Sequence, residues 1–243
     1  MSKSWNYQVA GTITVTTTGN IDDLDFQYCS VILMNNATLS TIRGLKAGFP
    51  GQEVTIVSIG AGQVNLPHQN ISSAAANRLI NSVTSGITPL AAGKGIATYK
   101  YDEITVRWRL INHNQGAMIA IPYASGNFTG SGTITWTVDA GDQSSLSFEI
   151  INNCILIAAV ILTTSISGVG TDLRITLPNG YTCAFQIVGI ARVNDNGAGF
   201  VAGIVYATTA GNTTLNFETI AGTNWAAAVN TTGLQASLLF PID

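Results

Sequence analysis

The chain holds only two histidines, His68 and His113, three cysteines, Cys29, Cys154 and Cys183, and thirteen carboxylates among 243 residues. Nucleophilic hydrolysis requires a Ser or Cys, a His and an acid brought together. No G-x-S-x-G elbow, H-E-x-x-H pair, phosphate-binding P-loop or G-x-G-x-x-G turn accompanies them. A zinc site built on His68 would need three further N, S or carboxylate ligands, and none lies near in sequence. Paired carboxylates are the remaining enzymatic option, because glycoside hydrolysis needs only two well-placed acids. Asp22, Asp23 and Asp25 cluster in "IDDLDF", and Asp139 and Asp142 in "VDAGDQ". Both stretches read more simply as turns, since Asp caps turns and tolerates left-handed backbone. The expectation is therefore of a protein that is not an enzyme, with no catalytic residue, cofactor or metal.

Amides beside aromatics are a different chemistry, suited to sugar hydroxyls and apolar sugar faces. They gather in the second half, in "NDNGAGF" (194–200), "TAGNTT" (209–214) and "GTNW" (222–225). Asp195, Asn196, Tyr206 and Asn224 are the binding candidates there, with Trp225 taken as a packing residue. The segment "LPHQNISSAAANRLI" (66–80) reads as a structural loop, with His68 bonding within that loop or across a subunit contact.

Everything around these groups looks like strand. "TITVTTT", "CSVILMNN", "EVTIVSIG", "GIATYKY" and "TVRWRLI" are β-branched or alternating runs separated by glycines. In the last, Val106, Trp108 and Leu110 are expected on one face and Arg107 and Arg109 on the other. About eight more strands follow from Thr133, among them "CILIAAVIL" (154–162), read as a strand buried on both faces. Helical periodicity is confined to "SSAAANRL" and "NWAAAVN". No repeat of 20 to 50 residues is visible, which argues against a solenoid. The fold expected is all-β with two β-rich domains, 1–112 and 128–243, joined by a linker at 113–127, the second with the short, even strand spacing of a sandwich or barrel.

Composition bounds the rest. Charged residues make up 9% and hydrophobic residues 46%, against about 25% charged in ordinary globular chains. So little charge points to subunit surfaces covered by partner subunits. The ten basic residues are scattered and the net charge is −3, which is no nucleic-acid footprint. No apolar run reaches the roughly 20 residues of a spanning helix, and the start "MSKSWNYQVAG" shows no secretory leader. An odd cysteine count without a secretory route predicts free thiols.

Two stretches carry a family resemblance. "LKAGFPGQEVTIVSIGAGQVNLPHQNISSAAANRLI" with "YKYDEITVRWRLIN" resembles a β-rich module of bacteriophage virion proteins, chiefly tail fibres, spikes and head fibres. The matching positions are Gly51, Val54, Ile56, Leu66, His68, Ser72, Ala75, Asn77, Arg78, Tyr101, Asp102, Trp108 and Arg109, within about residues 35–112. "GTITWTVDAGD", "LRITLPNGYT" and "NWAAAVNTTGLQASLLFPI" resemble, more diffusely, a jelly-roll-like adhesive head. The resemblance implies a virion location, a homotrimer, docking to other capsid or tail proteins, and attachment to a host-surface glycan, with no nucleic acid and no membrane insertion. A decoration protein that binds no receptor is the nearest alternative, and a glycan depolymerase a further one.

Overall fold

The computed structural model describes residues 9–84 and 86–243. They form twenty strands and three short 3-10 turns, an all-β protein. By its internal contacts the chain divides into two units. One reaches to Met118 and adds Ile150–Asn152; the other holds Ile119–Glu149 and Asn153–Asp243. Segment 113–127, expected as a linker, carries the end of a strand, a two-residue strand and a 3-10 turn at Ser125–Asn127.

The first unit contains β1 (Val9–Val15), β2 (Gly19–Ile21), β3 (Cys29–Met34), β4 (Ser40–Ile42), β5 (Glu53–Ser58), β6 (Val64–Pro67), β7 (Leu79–Ile80), β8 (Ile87–Leu90), β9 (Ile96–Asp102) and β10 (Arg107–Asn114). Strands β1, β3 and β5 pair in parallel, and so do β2, β4 and β6. Each coil is a strand, a corner and a second strand, and three such coils stack. This is a short parallel solenoid, and the expectation against one is overturned. The repeat is invisible to a periodicity search because coil lengths differ and only residue class recurs. Ile13, Ile32 and Ile56 share one register position, and Val15, Met34 and Ser58 another. Ile21 stacks on Ile42, and Leu24 on Leu45. Ile32, Met34, Ile42, Leu45 and Ile56 are fully buried, so the stack is the unit's core.

The third coil is closed by antiparallel pairing, β9 against β5 and β8 against β6. That cover spares the solenoid an open edge on this side. Trp108 on β10 locks the arrangement. It is fully buried, its Nε1 donates to the Leu45 and Lys46 carbonyls at 3.2 and 3.1 Å, and Phe26 and Tyr101 meet it edge-on. Val106 departs from its expected place. It has φ of 53° in the turn before β10 and is 45% exposed, so the buried face starts at Trp108.

The second unit contains β11 (Ile119–Ala120), β12 (Phe128–Gly130), β13 (Thr135–Thr137), β14 (Gln143–Ile151), β15 (Cys154–Ser167), β16 (Leu173–Thr176), β17 (Ile187–Asn194), β18 (Val201–Ala207), β19 (Thr214–Thr219) and β20 (Ala228–Pro241). They form one curled sheet in the order β11-β14-β15-β20-β17-β18-β19-β16-β12, with β13 paired to the far half of β15. Strand β15 changes neighbours at a register break beside Thr163, whose φ of 58° bends the strand. The concave side carries Ile157, Ile161, Ile175, Val193, Val205, Phe217 and Leu234, all buried, with Trp136 hydrogen-bonded to Thr164 Oγ1 at 2.8 Å.

Two sequence expectations fail here. "NWAAAVN" forms no helix: Trp225 donates through its backbone N to the Gly170 carbonyl at 3.0 Å and through Nε1 to the Thr171 carbonyl at 2.8 Å, and β20 starts at Ala228. Those bonds pin the chain to the sheet and leave no room for helical turns. "CILIAAVIL" is not buried on both faces either. Ile155, Ile157, Ala159 and Ile161 point into the core, while Cys154, Leu156, Ala158, Val160 and Leu162 on the other face are only half-covered.

Candidate functional site

The β17–β18 turn has the sequence Asn194-Asp195-Asn196-Gly197-Ala198-Gly199. Asn196, Gly197 and Gly199 hold φ of 48°, 75° and 91°. Left-handed backbone of this kind favours Asn and Gly. Asn194 Oδ1 accepts the Gly199 N–H at 3.0 Å, and the Gly197 N–H donates to the Thr231 carbonyl at 2.9 Å. The β19–β20 connection lies at the same end of the antiparallel sheet. Asp195 Oδ1 accepts the Ala226 N–H at 3.0 Å and so joins the two loops. Thr231 Oγ1 donates to Asn196 Oδ1 at 3.4 Å. Asn196 and Asn224 are exposed on this tip. One oxygen of the Asp195 carboxylate is committed to the loop, and the exposed groups beside it are the amides of Asn196 and Asn224, each with donors and acceptors.

Loop 209–214 belongs elsewhere. It joins β18 to β19 at the opposite end, where the Gly211 N–H donates to the Cys183 carbonyl and Asn212 Oδ1 accepts from Thr214 N and Oγ1. Tyr206 is also separate from the tip. Its hydroxyl lies 2.8 Å from Asp172 Oδ1 and 2.7 Å from Glu218 Oε1, and Arg174 reaches Asp172 Oδ2 at 3.3 Å. Strand pairing explains the meeting. Leu173 pairs Phe217 and Tyr206 pairs Asn216, so side chains from β16, β18 and β19 project together on the convex side. Burial raises the Asp172 carboxyl, but bonds from Glu218, Tyr206, Arg174 and Thr171 outweigh it and leave Asp172 below its ordinary value. Burial and the neighbouring Asp172 hold Glu218 above its ordinary value. The two carboxyls are thus shifted in opposite directions, as expected for two acids that share one site. Sequence reasoning missed this cluster because Asp172 and Glu218 stand far apart in the chain.

The remaining sequence candidates are structural. His68 Nδ1 accepts the Asn81 N–H at 3.0 Å, and burial lowers its pKa. Asn81 in turn donates to the Leu66 carbonyl at 2.7 Å and accepts from Tyr99 Oη at 2.8 Å. Arg78 Nε bonds the Ser73 carbonyl at 3.0 Å, which holds the small-residue loop. Asp23 Oδ1 accepts the Ala74 N–H at 3.1 Å, Asp25 pairs with Lys46 at 2.9 Å, and Asp142 accepts from Asp139 N at 2.9 Å and Thr163 Oγ1 at 2.8 Å. Among the described residues no group of three His, Cys, Asp or Glu side chains is placed to hold a metal ion, and no helix is long and apolar enough to cross a membrane. No protein-family model matches this chain, and no curated protein matches it significantly.

Proposed function

We propose that the chain is a structural protein of a bacteriophage particle, a short tail or head fibre or spike that attaches to the host surface. The carrying observation is the tip of the second unit. Two loops are tied by Asp195 and present Asn196 and Asn224 from a rigid sheet, the usual placement of recognition groups. Uncharged amides match sugar hydroxyls, so a host-surface glycan is the ligand class. Tyr206 is occupied by two carboxylates and takes no part. The first unit, which carries the sharper virion resemblance, is the particle-side scaffold that docks to capsid or tail proteins. The second is the jelly-roll-like projecting head. The working form is a homotrimer, and the mechanism is attachment, not reaction.

The test uses the full-length protein on intact susceptible cells. Binding is expected, with at least a tenfold loss in the Asn196→Ala, Asn224→Ala double variant at unchanged circular dichroism. Absence of binding by the wild-type protein, with labelled protein found on particles, would replace attachment by capsid decoration. Shortening of host polysaccharide chains on incubation would replace it by depolymerisation.

A further inference from the structure

An antiparallel sheet with one solvated face normally alternates apolar-in and polar-out. The convex face of the second unit does not. On β17, Val188 and Ile190 are 69% and 79% exposed, and on β20 Leu239 is 54% exposed. Leu156 pairs Leu239, Ala158 pairs Ser237 and Val160 pairs Gln235 on the same face. Ile190 pairs Ile204 of β18, which extends the apolar strip by one strand. Arg192 is the single charged residue of β15, β20 and β17. Charge depletion over contiguous aliphatic side chains is the composition of an interface core.

We propose that this face, formed by β15, β20, β17 and β18, seats a second copy of the chain; the inference rests on the homotrimer reading and names the surface that would build it. Three features select a copy over an unrelated partner. First, knob and hole lie on one face: the protruding Ile190 borders a shallow depression of about 300 Å³ lined by Val160, Arg192, Gln235, Ala236 and Ser237. Ala159, Ala191, Ala236 and Ser237 of its lining are small, and an aliphatic side chain from a copy would fill it. Second, the face carries both signs at its margins. Arg192 bonds only neutral Gln235 and stacks on Phe200, with no carboxylate partner among the described residues. Glu218 stands two strands away, about 10 Å across the sheet, too far to pair within the chain; the Arg192 of a copy would compete there with the Tyr206 hydroxyl and Asp172 that Glu218 already meets. Third, a patch four strands wide and about as long as β17 and β18 projects to an area on the order of 500 Å². With side-chain relief that approaches the ~800 Å² of accessible surface per partner in stable complexes.

Sedimentation of the full-length chain at micromolar concentration tests the inference, with Ile190→Asp and Val188→Asp beside wild type and Ile71→Asp as a control. Ile71 is 84% exposed and belongs to the first unit, not to the strands of the face. All of these positions are exposed, so circular dichroism should be unchanged. Wild type and the control are expected at a multiple of 25.4 kDa, with the two face variants shifted at least tenfold towards monomer. An assembled wild type whose face variants stay assembled would overturn this face and leave the homotrimer standing. A monomeric wild type at that concentration would overturn both.

Discussion

Asp195 Oδ1 accepts the backbone N–H of Ala226 at 3.0 Å, across two loops that are adjacent in space but not in sequence. A carboxylate that looked available for a ligand is thereby a structural tie. Asp195→Ala should cost about 1–2 kcal/mol and lower the melting temperature by roughly 2–8 °C. Asp195→Asn keeps an oxygen acceptor and should recover most of the loss. An unchanged melting temperature in the Ala variant would show that the tie contributes nothing.

The corner of the solenoid gives a second expectation. Asn36 is fully buried, and its Nδ2 donates to the Thr38 and Gln63 carbonyls at 2.7 and 3.1 Å. Gly62 passes so close to Thr38 that a Cβ there would fall on the Thr38 carbonyl. Gly62→Ala should destabilise by about 2–3 kcal/mol in urea unfolding. Gly51, with φ of 81° and open space around it, should cost only about 1 kcal/mol on the same change. Equal losses at both positions would contradict the close approach.

The Asp172–Glu218 pair predicts a pH optimum. Asp172 is lowered on folding, so its contribution is present above the ordinary value of 3.8 and lost as pH falls through its folded pKa. Glu218 is raised, so its contribution is complete below the ordinary value of 4.5 and lost as pH rises through its folded pKa. Both contributions are complete between the ordinary values of 3.8 and 4.5, and the joint contribution falls away on either side through the folded pKa values. Urea midpoints across pH 3 to 8 should show Glu218→Gln losing the decline on the alkaline side (test range roughly as set by carboxylate titration). A parallel profile for variant and wild type would refute the upward shift of Glu218.

The cysteines supply the fourth expectation. All three are free; Cys183 is buried and burial pushes its thiol up to about 11, while Cys29 and Cys154 are half-buried. A thiolate-selective reagent on the native protein should modify Cys183 last, at least tenfold slower than in denaturant, and reductant should leave the melting temperature unchanged. Fast native labelling of Cys183, or a melting temperature lowered by reductant, would count against this arrangement.

Strand positions were largely legible in the sequence because β-branched alternation and glycine punctuation are local signals. "TITWTVDAGD" is a case in point: Ile134, Trp136 and Val138 are buried while Thr135 and Thr137 face out. The short strands β2 (GNI), β4 (STI) and β6 (VNLP) escaped notice, since three or four residues are too few to show a period. They exist because each lies in register on the coil beneath it. Of the proposed binding residues, Asp195, Asn196 and Asn224 are drawn to one end by loop order along an antiparallel meander, which sequence order alone implies. Tyr206 left that group because its partners come from β16 and β19, and only strand pairing reveals them.

The sequence by itself determined the all-β class, the inward face of most long strands and the positions of the turns, because each depends on residues within a few positions of one another. Tertiary structure alone decided that β1 to β6 wind in parallel, that Asp172 meets Glu218, and that one face of "CILIAAVIL" stays half open. Pairing partners are chosen by registers between distant segments, and an apolar residue carries the same sequence signal whether its own chain covers it or leaves it for another to cover.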